Sequence, residues 1–352
     1  MAVEASTRVA TAVHVTDRAG WEGLIKALQR THQVWAPIKT GEDRVVLQQV
    51  DDPTSIRVDA HPTLLPTKKV YRAPEETLFR FSRKHARASP PPESEAGVET
   101  KPLALVGIHP CDLRALQLLD RVFTGFFVDD RYSDRRARTF IVVGNCVSPF
   151  PSCFCSSFNS GPFARDGFDL AVTKLDDRYL LQAGSPAGQT LLAVLEVPVA
   201  GADELAQLVA AEASARQRLT RRVETDGLTR LLNMNVDHPV WDDVADQCLC
   251  CGACTAVCPT CYCFSVRDRL NLDLETGERR VAWTSCLVME FSQVALGHNP
   301  RHHRVARVKQ RLYHKFSYFN DQYGEFGCVG CGRCVDTCVA DLDPVKILAK
   351  LK

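Results

Sequence analysis

The chain of 352 residues has no charge excess of either sign: 43 Lys and Arg stand against 42 Asp and Glu, a formal net charge of +1. Nucleic-acid binders usually carry a basic surplus, so this balance argues against one. No apolar run approaches the ~18 residues that span a bilayer, which argues against a membrane helix. The first residues, Met1-Ala-Val-Glu-Ala-Ser-Thr-Arg8, lack the basic start and apolar stretch of a secretory signal, so a cytoplasmic location is expected. Two nucleotide-binding patterns are also missing: there is no G-x-G-x-x-G after a strand and no G-x-x-x-x-G-K loop. Any flavin or NAD site is therefore expected on a partner and not on this chain. Cysteine is absent from the first 110 residues.

Further on, cysteine is abundant. Of 16 in all, four fall between 111 and 155 and twelve between 248 and 338. The cytosol keeps thiols reduced, so for a chain without an export signal metal ligation is the default reading. Apolar residues make up 45% and charged residues 24%, the composition of a soluble globular protein with room for two domains.

The first 84 residues read as mixed α/β without a chemical motif. Residues 85–101, rich in Pro and Glu, read as an exposed loop. Next comes a strand–helix–strand pattern. Leu103–Ile108 and Thr139–Gly144 are short apolar runs suited to buried strands. Between them Leu113, Leu116, Leu119 and Phe123 share one helix face, with Asp112 as a candidate cap. Two buried strands joined through a helix suggest a parallel pair. Residues 203–232 read as helix linking two domains. Farther on, Leu287, Phe291 and Val294 space as one helix face and Val305, Val308, Leu312, Phe316 and Phe319 as another. Leu272–Val281 reads as a hairpin turning at Thr276-Gly277. The expected class is α+β: an N-terminal α/β domain over 1–232 with a partly parallel sheet, then an α-helical ferredoxin domain over 233–352.

The strongest motif is Cys248-x2-Cys251-x2-Cys254-x3-Cys258-Pro259, repeated as Cys328-x2-Cys331-x2-Cys334-x3-Cys338. Three cysteines at this spacing wrap three corners of a cubane, and in two-cluster ferredoxins the fourth cysteine of each run serves the other cluster. This pairs Cys248, Cys251 and Cys254 with Cys338, and Cys328, Cys331 and Cys334 with Cys258, for two [4Fe–4S] clusters. Zinc sites use separated Cys pairs, and disulfides between residues three apart are strained, so both explain a doubled run poorly. Val339 stands where a proline often follows the last cysteine, which affects the turn and not the ligands.

A second constellation is Cys111, Cys146, Cys153 and Cys155. Cys111 and Cys146 each follow an expected strand, so a parallel pair puts both at the carboxyl edge of one sheet, where α/β folds gather ligands. The loop bearing Cys153 and Cys155 folds back over that edge, and four thiols then suffice for a third cubane. The alternative is that these are buried or scattered thiols, since free Cys is often a small core residue.

Several motifs occur in a family-like order: His109-Pro-Cys-Asp-Leu-Arg114, Asp130-Arg-Tyr132 with Arg135-Arg136, Cys153-Phe-Cys155-Ser156, Gly167-Phe-Asp-Leu170 and Asp177-Arg-Tyr179-Leu180. Cys258-Pro-Thr-Cys261-Tyr-Cys263-Phe264, Trp283-Thr-Ser-Cys286, Gly297-His-Asn-Pro-Arg301, Tyr313-His-Lys315 and Cys328-Val-Gly-Cys-Gly-Arg-Cys334 follow. Over about residues 100–338 this pattern resembles the β subunit of cytosolic NiFe hydrogenases of the sulfhydrogenase type, a family that also includes the A subunit of anaerobic sulfite reductase. The resemblance implies an iron–sulfur relay subunit, without bond chemistry of its own, between a flavin subunit oxidising NAD(P)H and a catalytic partner. It also implies a third [4Fe–4S] cluster on Cys111, Cys146, Cys153 and Cys155. The expected partners are NiFe hydrogenase subunits and a flavin/NAD(P)-binding diaphorase subunit, with sulfite reductase subunits as the alternative; no nucleic acid or membrane is expected. A stand-alone redox sensor is the reading from a different class.

Cys261, Cys263 and Cys286 also match family positions. They are candidates for a fourth metal site, or for thiols packed near the clusters that tune potentials. Cys250 has no motif role. His298–Lys315 carries six Lys or Arg and four His. It reads either as an electropositive face or field acting on the clusters, or as the solvated side of the Val305–Phe319 helix.

Overall fold

The computed structural model describes residues 12–41, 44–59, 62–90 and 101–352. Most strands fall in one seven-stranded sheet. In chain order its members are β1 (Val13–Thr16), β2 (Gln33–Thr40), β3 (Arg44–Gln49), β6 (Leu103–Ile108), β7 (Thr139–Gly144), β8 (Leu170–Leu175) and β9 (Arg178–Ala183), arranged β1-β9-β8-β7-β6-β2-β3. The central pairs β2–β6, β6–β7 and β7–β8 are parallel, and the outer pairs are antiparallel. All six residues of β6 are buried. A strand covered on both faces has no need of polar alternation, so it reads as a continuous apolar run.

Side chains alternate across the sheet. Ala104, Val106, Val142, Leu170 and Val172 meet Trp21, Leu24, Ile25 and Leu28 of the helix Arg18–Thr31. Leu105, Ile141 and Val143 point the other way, onto Leu113, Leu116, Leu119 and Phe123 of the helix Pro110–Phe123. That helix buries the stripe its spacing predicted, and each such side chain contributes about 1.5–3 kcal/mol of burial.

A second sheet is antiparallel, in the order β10-β11-β4-β5, from β4 (Glu75–Ser82), β5 (Arg87–Ser89), β10 (Phe264–Leu270) and β11 (Thr276–Trp283). It joins strands from the cysteine-poor and cysteine-rich parts of the chain. Part of the expected 85–101 loop is thus strand: Arg87–Ser89 pairs with the edge of β4, which supplies its backbone hydrogen bonds. Residues 91–100 of that expectation lie outside the described residues. The β10–β11 hairpin exists but does not turn at Thr276-Gly277, which begin β11. Asp273 makes the turn, its carboxylate accepting from Glu275 N–H, Thr276 N–H and the Thr276 hydroxyl, with Leu274 left-handed at φ +56°.

The expected 203–232 helix is two helices, Ala202–Arg218 and Leu228–Met234. Between them Leu219 and Val223 turn inward, and Val223 N–H donates to Ser157 Oγ at 2.9 Å. The Leu287/Phe291/Val294 face is not an α-helix. Two short 3₁₀ turns, Met289–Ser292 and Ala295–Gly297, replace it; Leu296 is left-handed and Val294 exposed, so the apolar spacing there was coincidental. The other expected helix is present as Arg304–Tyr313, a π-helical stretch His314–Tyr318 and Phe319–Tyr323 in succession. Val308, Leu312 and Phe316 pack with Trp241 and Val244 of the helix Val240–Gln247 and with Ile347 of Pro344–Ala349. No helix among the described residues is long and apolar enough to cross a membrane.

Candidate metal centres

The two cysteine runs fold into the same local shape. The helix Val240–Gln247 stops at Cys248, and the chain then turns through Cys250 and Gly252, both at positive φ, into the one-turn helix Ala253–Ala256. In the second run Gly330 and Gly332 take those two left-handed positions, ahead of the one-turn helix Arg333–Asp336. The amide of Cys250 donates to Cys248 Sγ at 3.4 Å, and the amide of Gly330 to Cys328 Sγ at 3.4 Å. Left-handed residues reverse the backbone within the Cys-x2-Cys steps, which glycine does without steric cost.

The tertiary structure gathers the cysteines into separate sets. Cys248, Cys251, Cys254 and Cys338 line one cavity together with Leu287, Val308, Leu312, Arg311 and Cys334. Cys258 faces Cys328, Cys331 and Cys334. The fourth cysteine of each run thus stands beside the first three of the other. Cys111 stands at the start of the helix Pro110–Phe123, Cys146 just past β7, and Cys153 and Cys155 on the next loop; all four line one cavity. The parallel β6–β7 pair brings the first two there, as the strand pattern predicted. Gly161 leaves room for this set, since a Cβ on it would lie 3.0 Å from Cys155 Sγ. The set adjoins the second run, with Cys153 Sγ 3.7 Å from the Cys331 carbonyl oxygen.

Among the described residues no three His, Cys, Asp or Glu are set to hold a single metal ion. A cubane is larger than one ion, so thiolates holding one would stand farther apart, around a cavity.

Buried cations test the fit of an anionic cluster, because a buried charge needs an opposite one. Lys68 and Lys315 are 6% and 4% exposed, and among the described residues neither has a carboxylate partner. Lys68 Nζ donates to the Cys261 carbonyl at 2.7 Å and lies 4.2 Å from the Trp283 ring centre. Lys315 Nζ donates to Thr260 Oγ1 at 2.6 Å, and that hydroxyl donates to the Gly327 carbonyl at 2.7 Å. The half-buried Arg311 donates from Nε to Cys254 Sγ at 3.0 Å and from Nη2 to the Cys254 carbonyl at 3.3 Å. Burial works against the charge of Arg311 and Lys315. Cys254 and Cys334 outweigh it at Arg311, Cys258 and Cys261 at Lys315, and both pKa values stand above their ordinary ranges. Arg333 pairs with Asp112 at 2.7 Å in the interior and donates from Nε to the Thr63 carbonyl at 2.8 Å. Among the described residues its Nη1 has no hydrogen-bond partner, and Cys331 and Cys111 face this guanidinium. At Lys68 burial outweighs the thiols and lowers its pKa, whereas Arg311, Lys315 and Arg333 stand above their ordinary ranges and fit thiolate-bound clusters.

The thiols themselves need a cation to ionise. Burial pushes Cys153 up to about 11 and Cys155 and Cys328 to about 12, and raises Cys111 and Cys146 well above the thiol range. A bound metal replaces those protons. Cys258 goes the other way: the neighbouring Cys261 thiol holds it low against burial, helped by Lys315 and Arg311.

Cys261, Cys263 and Cys286 stand together beside Cys258, at the open end of the β10–β11 hairpin. Cys250 fills the left-handed position that Gly330 holds in the repeat. The basic stretch divides: Arg311 and Lys315 turn toward the cysteines, whereas His302, His303 and Arg304 are exposed. Sequence reasoning missed Lys68 and Arg333, and it read Asp112 as a helix cap, whereas His109 holds the cap position and Asp112 pairs with Arg333. Arg333 sat inside a motif read only for its cysteines, and Lys68 has no local signal beyond its place in Pro66-Thr-Lys-Lys69.

A family model described as a 4Fe-4S dicluster domain matches residues 247–342. The chain is also 31% identical, over 327 residues, to sulfhydrogenase 2 subunit beta of Pyrococcus furiosus, which covers 92% of this chain and 94% of that protein. No solved structure matches it. Identity at this level along almost the whole of both proteins, with the dicluster match at the two cysteine runs, shows that the chain belongs to the sulfhydrogenase beta subunit family.

Proposed function

We propose that this chain is the iron–sulfur electron-transfer subunit of a soluble, cytoplasmic NiFe hydrogenase complex, linking an NAD(P)H-oxidising flavin subunit to the hydrogenase subunits. Two [4Fe–4S] clusters are held by Cys248, Cys251, Cys254 and Cys338, and by Cys328, Cys331, Cys334 and Cys258. A third is held by Cys111, Cys146, Cys153 and Cys155. The first two belong to the part after residue 232 and the third to the part before it. When bound, the clusters supply one-electron redox chemistry. The protein keeps water away and tunes potentials through burial, amide-to-sulfur bonds and local charge.

The observation that carries the reading is the continuity of the three thiol sets. Cys153 touches the backbone of Cys331, and Cys334 belongs to the second set while lining the cavity of the first. Of all the cysteines, Cys251 is the exposed one, which favours the set holding it as the point of exchange with a partner.

Iron content with EPR of the reduced protein tests this. Four irons per cubane predict about 12 per chain, and about 8 in a fully loaded sample sinks the third site. Cys153→Ser is expected to remove about 4 irons and one EPR signal and to leave the other two clusters. A chain that purifies without hydrogenase subunits and takes no electrons from reduced pyridine nucleotide in their presence overturns the relay.

A further inference from the structure

The antiparallel sheet ends on one side at β10, none of whose residues is buried. No hydrophobic core cluster among the described residues takes in a residue of β10 or β11. The ladder shows which backbone groups β10 leaves open. At the two ends of the pairing Thr284 N–H donates to the Cys263 carbonyl at 3.0 Å and Asn271 N–H to the Thr276 carbonyl at 2.9 Å. Bonded and non-bonded pairs alternate along an antiparallel ladder, so Ser265, Arg267 and Arg269 also bond toward β11. The amides and carbonyls of Phe264, Val266, Asp268 and Leu270 point to the open side, and no other element among the described residues bonds them. β10 has no proline, and the sheet's bulge lies on β11 between Arg279 and Arg280. An edge without such guards is a template for another strand.

The side chains over this edge divide by face. Phe264, Val266 and Leu270 are exposed on one, and Asp268 between them is held by Arg279 Nε and Nη2 at 2.7 and 2.8 Å. Arg267 and Arg269 are exposed on the other. Arg267 stands opposite Arg280, and Glu278, opposite Arg269, is taken by Arg280 at 3.1 Å, which leaves this face positive. Full antiparallel pairing of β10 with a second copy sets Arg267 against Arg267. A shift toward Leu270 sets Arg267 against Arg269 and Asp268 against Asp268. Like charges directly opposite destabilise a pair, so the edge suits a different chain of opposite charge.

We propose that β10 is the docking edge for a companion subunit of the hydrogenase complex, which adds an extended segment of alternating acidic and apolar residues as a fifth strand. Acidic side chains of that segment lie beside Arg267 and Arg269 and apolar ones beside Val266 and Leu270, while its backbone bonds the open amides and carbonyls. The proposal rests on the relay reading above, which supplies the companion. β10 begins directly after Cys258-Pro-Thr-Cys261-Tyr-Cys263, so the added strand anchors the companion close to the thiol set that Cys258 joins.

The test purifies the complex anaerobically through a tag on this chain and compares wild type with variants of the edge. Val266→Pro removes one open amide and spares the bonds to β11, since proline is tolerated where the N–H of an edge strand faces solvent. It is expected to lose companion subunits in dilute gel filtration where wild type and Val266→Thr retain them. Arg267→Glu combined with Arg269→Glu is expected to weaken association roughly tenfold, because opposite-charge pairs become like-charge pairs. Iron content is expected to stay at the wild-type level in both. Arg269→Lys keeps the charge and supplies an amine, which a carbodiimide is expected to couple to an Asp or Glu of a companion subunit, in a peptide identified by mass spectrometry. If the proline variant loses iron through misfolding, this cross-link decides. Full retention of companions by both Val266→Pro and the double reversal overturns the proposal, as does coupling only within this chain or to a second copy of it. Those results leave the relay standing, whereas a wild-type chain that brings down no companion subunit overturns both.

Discussion

Cys250 and Gly330 hold equivalent places in the two runs, at φ +51° and +59°. Each amide bonds the first cysteine of its run, but only Cys250 carries a Cβ into the left-handed region, which costs roughly 1–2 kcal/mol. Cys250→Gly is expected to raise stability by about 1 kcal/mol. Thermal unfolding measures this, and iron content should stay at the wild-type level; a clear loss of iron would make Cys250 a ligand after all. Arg311 acts on charge instead of shape. Its guanidinium bonds Cys254 Sγ and would stabilise the more negative, reduced state of a cluster held there. Hydrogen bonds to charged groups are worth about 1.5–3 kcal/mol, and for a one-electron couple 1.4 kcal/mol is about 59 mV. Arg311→Gln is expected to lower one cluster's midpoint potential by roughly 60 mV in an EPR-monitored redox titration. An unshifted set of potentials would show that the cation is compensated elsewhere.

Among the elements, the turns of the second cysteine run do more than aim thiols. A Cβ on Gly330 would lie 2.5 Å from the Phe154 carbonyl carbon and oxygen and 2.7 Å from the Cys155 amide nitrogen. The Phe154 amide also donates to the Gly330 carbonyl at 2.8 Å. The ferredoxin turn is therefore seated on the loop that carries Cys153 and Cys155. Gly330→Ala is expected to push that loop away, at about 2–4 kcal/mol for left-handed strain plus overpacking. Iron assays should show the Cys111 set emptied, a loss of about 4 irons, before the first dicluster set is affected. The π-helical stretch His314–Tyr318 has a comparable role. Wide turns of this kind often occur at functional sites, and here the stretch delivers Lys315 to Thr260 while Phe316 stays in the core.

Across the whole molecule the cysteine-poor and cysteine-rich parts are interlocked. β4 pairs with β11 in one sheet, and Asp112, next to Cys111, pairs in the interior with Arg333 of the second run. Removing one partner of a buried ion pair costs about 3–5 kcal/mol, because the other charge is left unpaired. Asp112→Asn is expected to destabilise the chain by that amount in denaturant unfolding. Asp112→Leu combined with Arg333→Met should recover most of it, since well-packed apolar residues often replace such pairs without loss. If the double variant is as unstable as the single one, the pair is needed for its charge beside the thiols and not only for the join.

The sequence alone determined whatever depends on local spacing. The Cys-x2-Cys-x2-Cys-x3-Cys runs, the buried strands Leu103–Ile108 and Thr139–Gly144, and the helix face Leu113–Phe123 were all legible, because backbone periodicity maps directly onto thiol aim and apolar faces. It also located Cys111 and Cys146 at one sheet edge, once the strands were read as a parallel pair. Spacing misled at Leu287–Val294, where apolar residues kept a helical period without a helix, and at Thr276-Gly277, where Asp273 moved the turn. Only the tertiary structure decided which charges face the thiols. Lys68, Arg311, Lys315 and Arg333 are unremarkable in the chain, and their meaning comes from burial beside sulfur contributed by distant segments. Charge pairing in an interior depends on distance and dielectric, which no local pattern encodes.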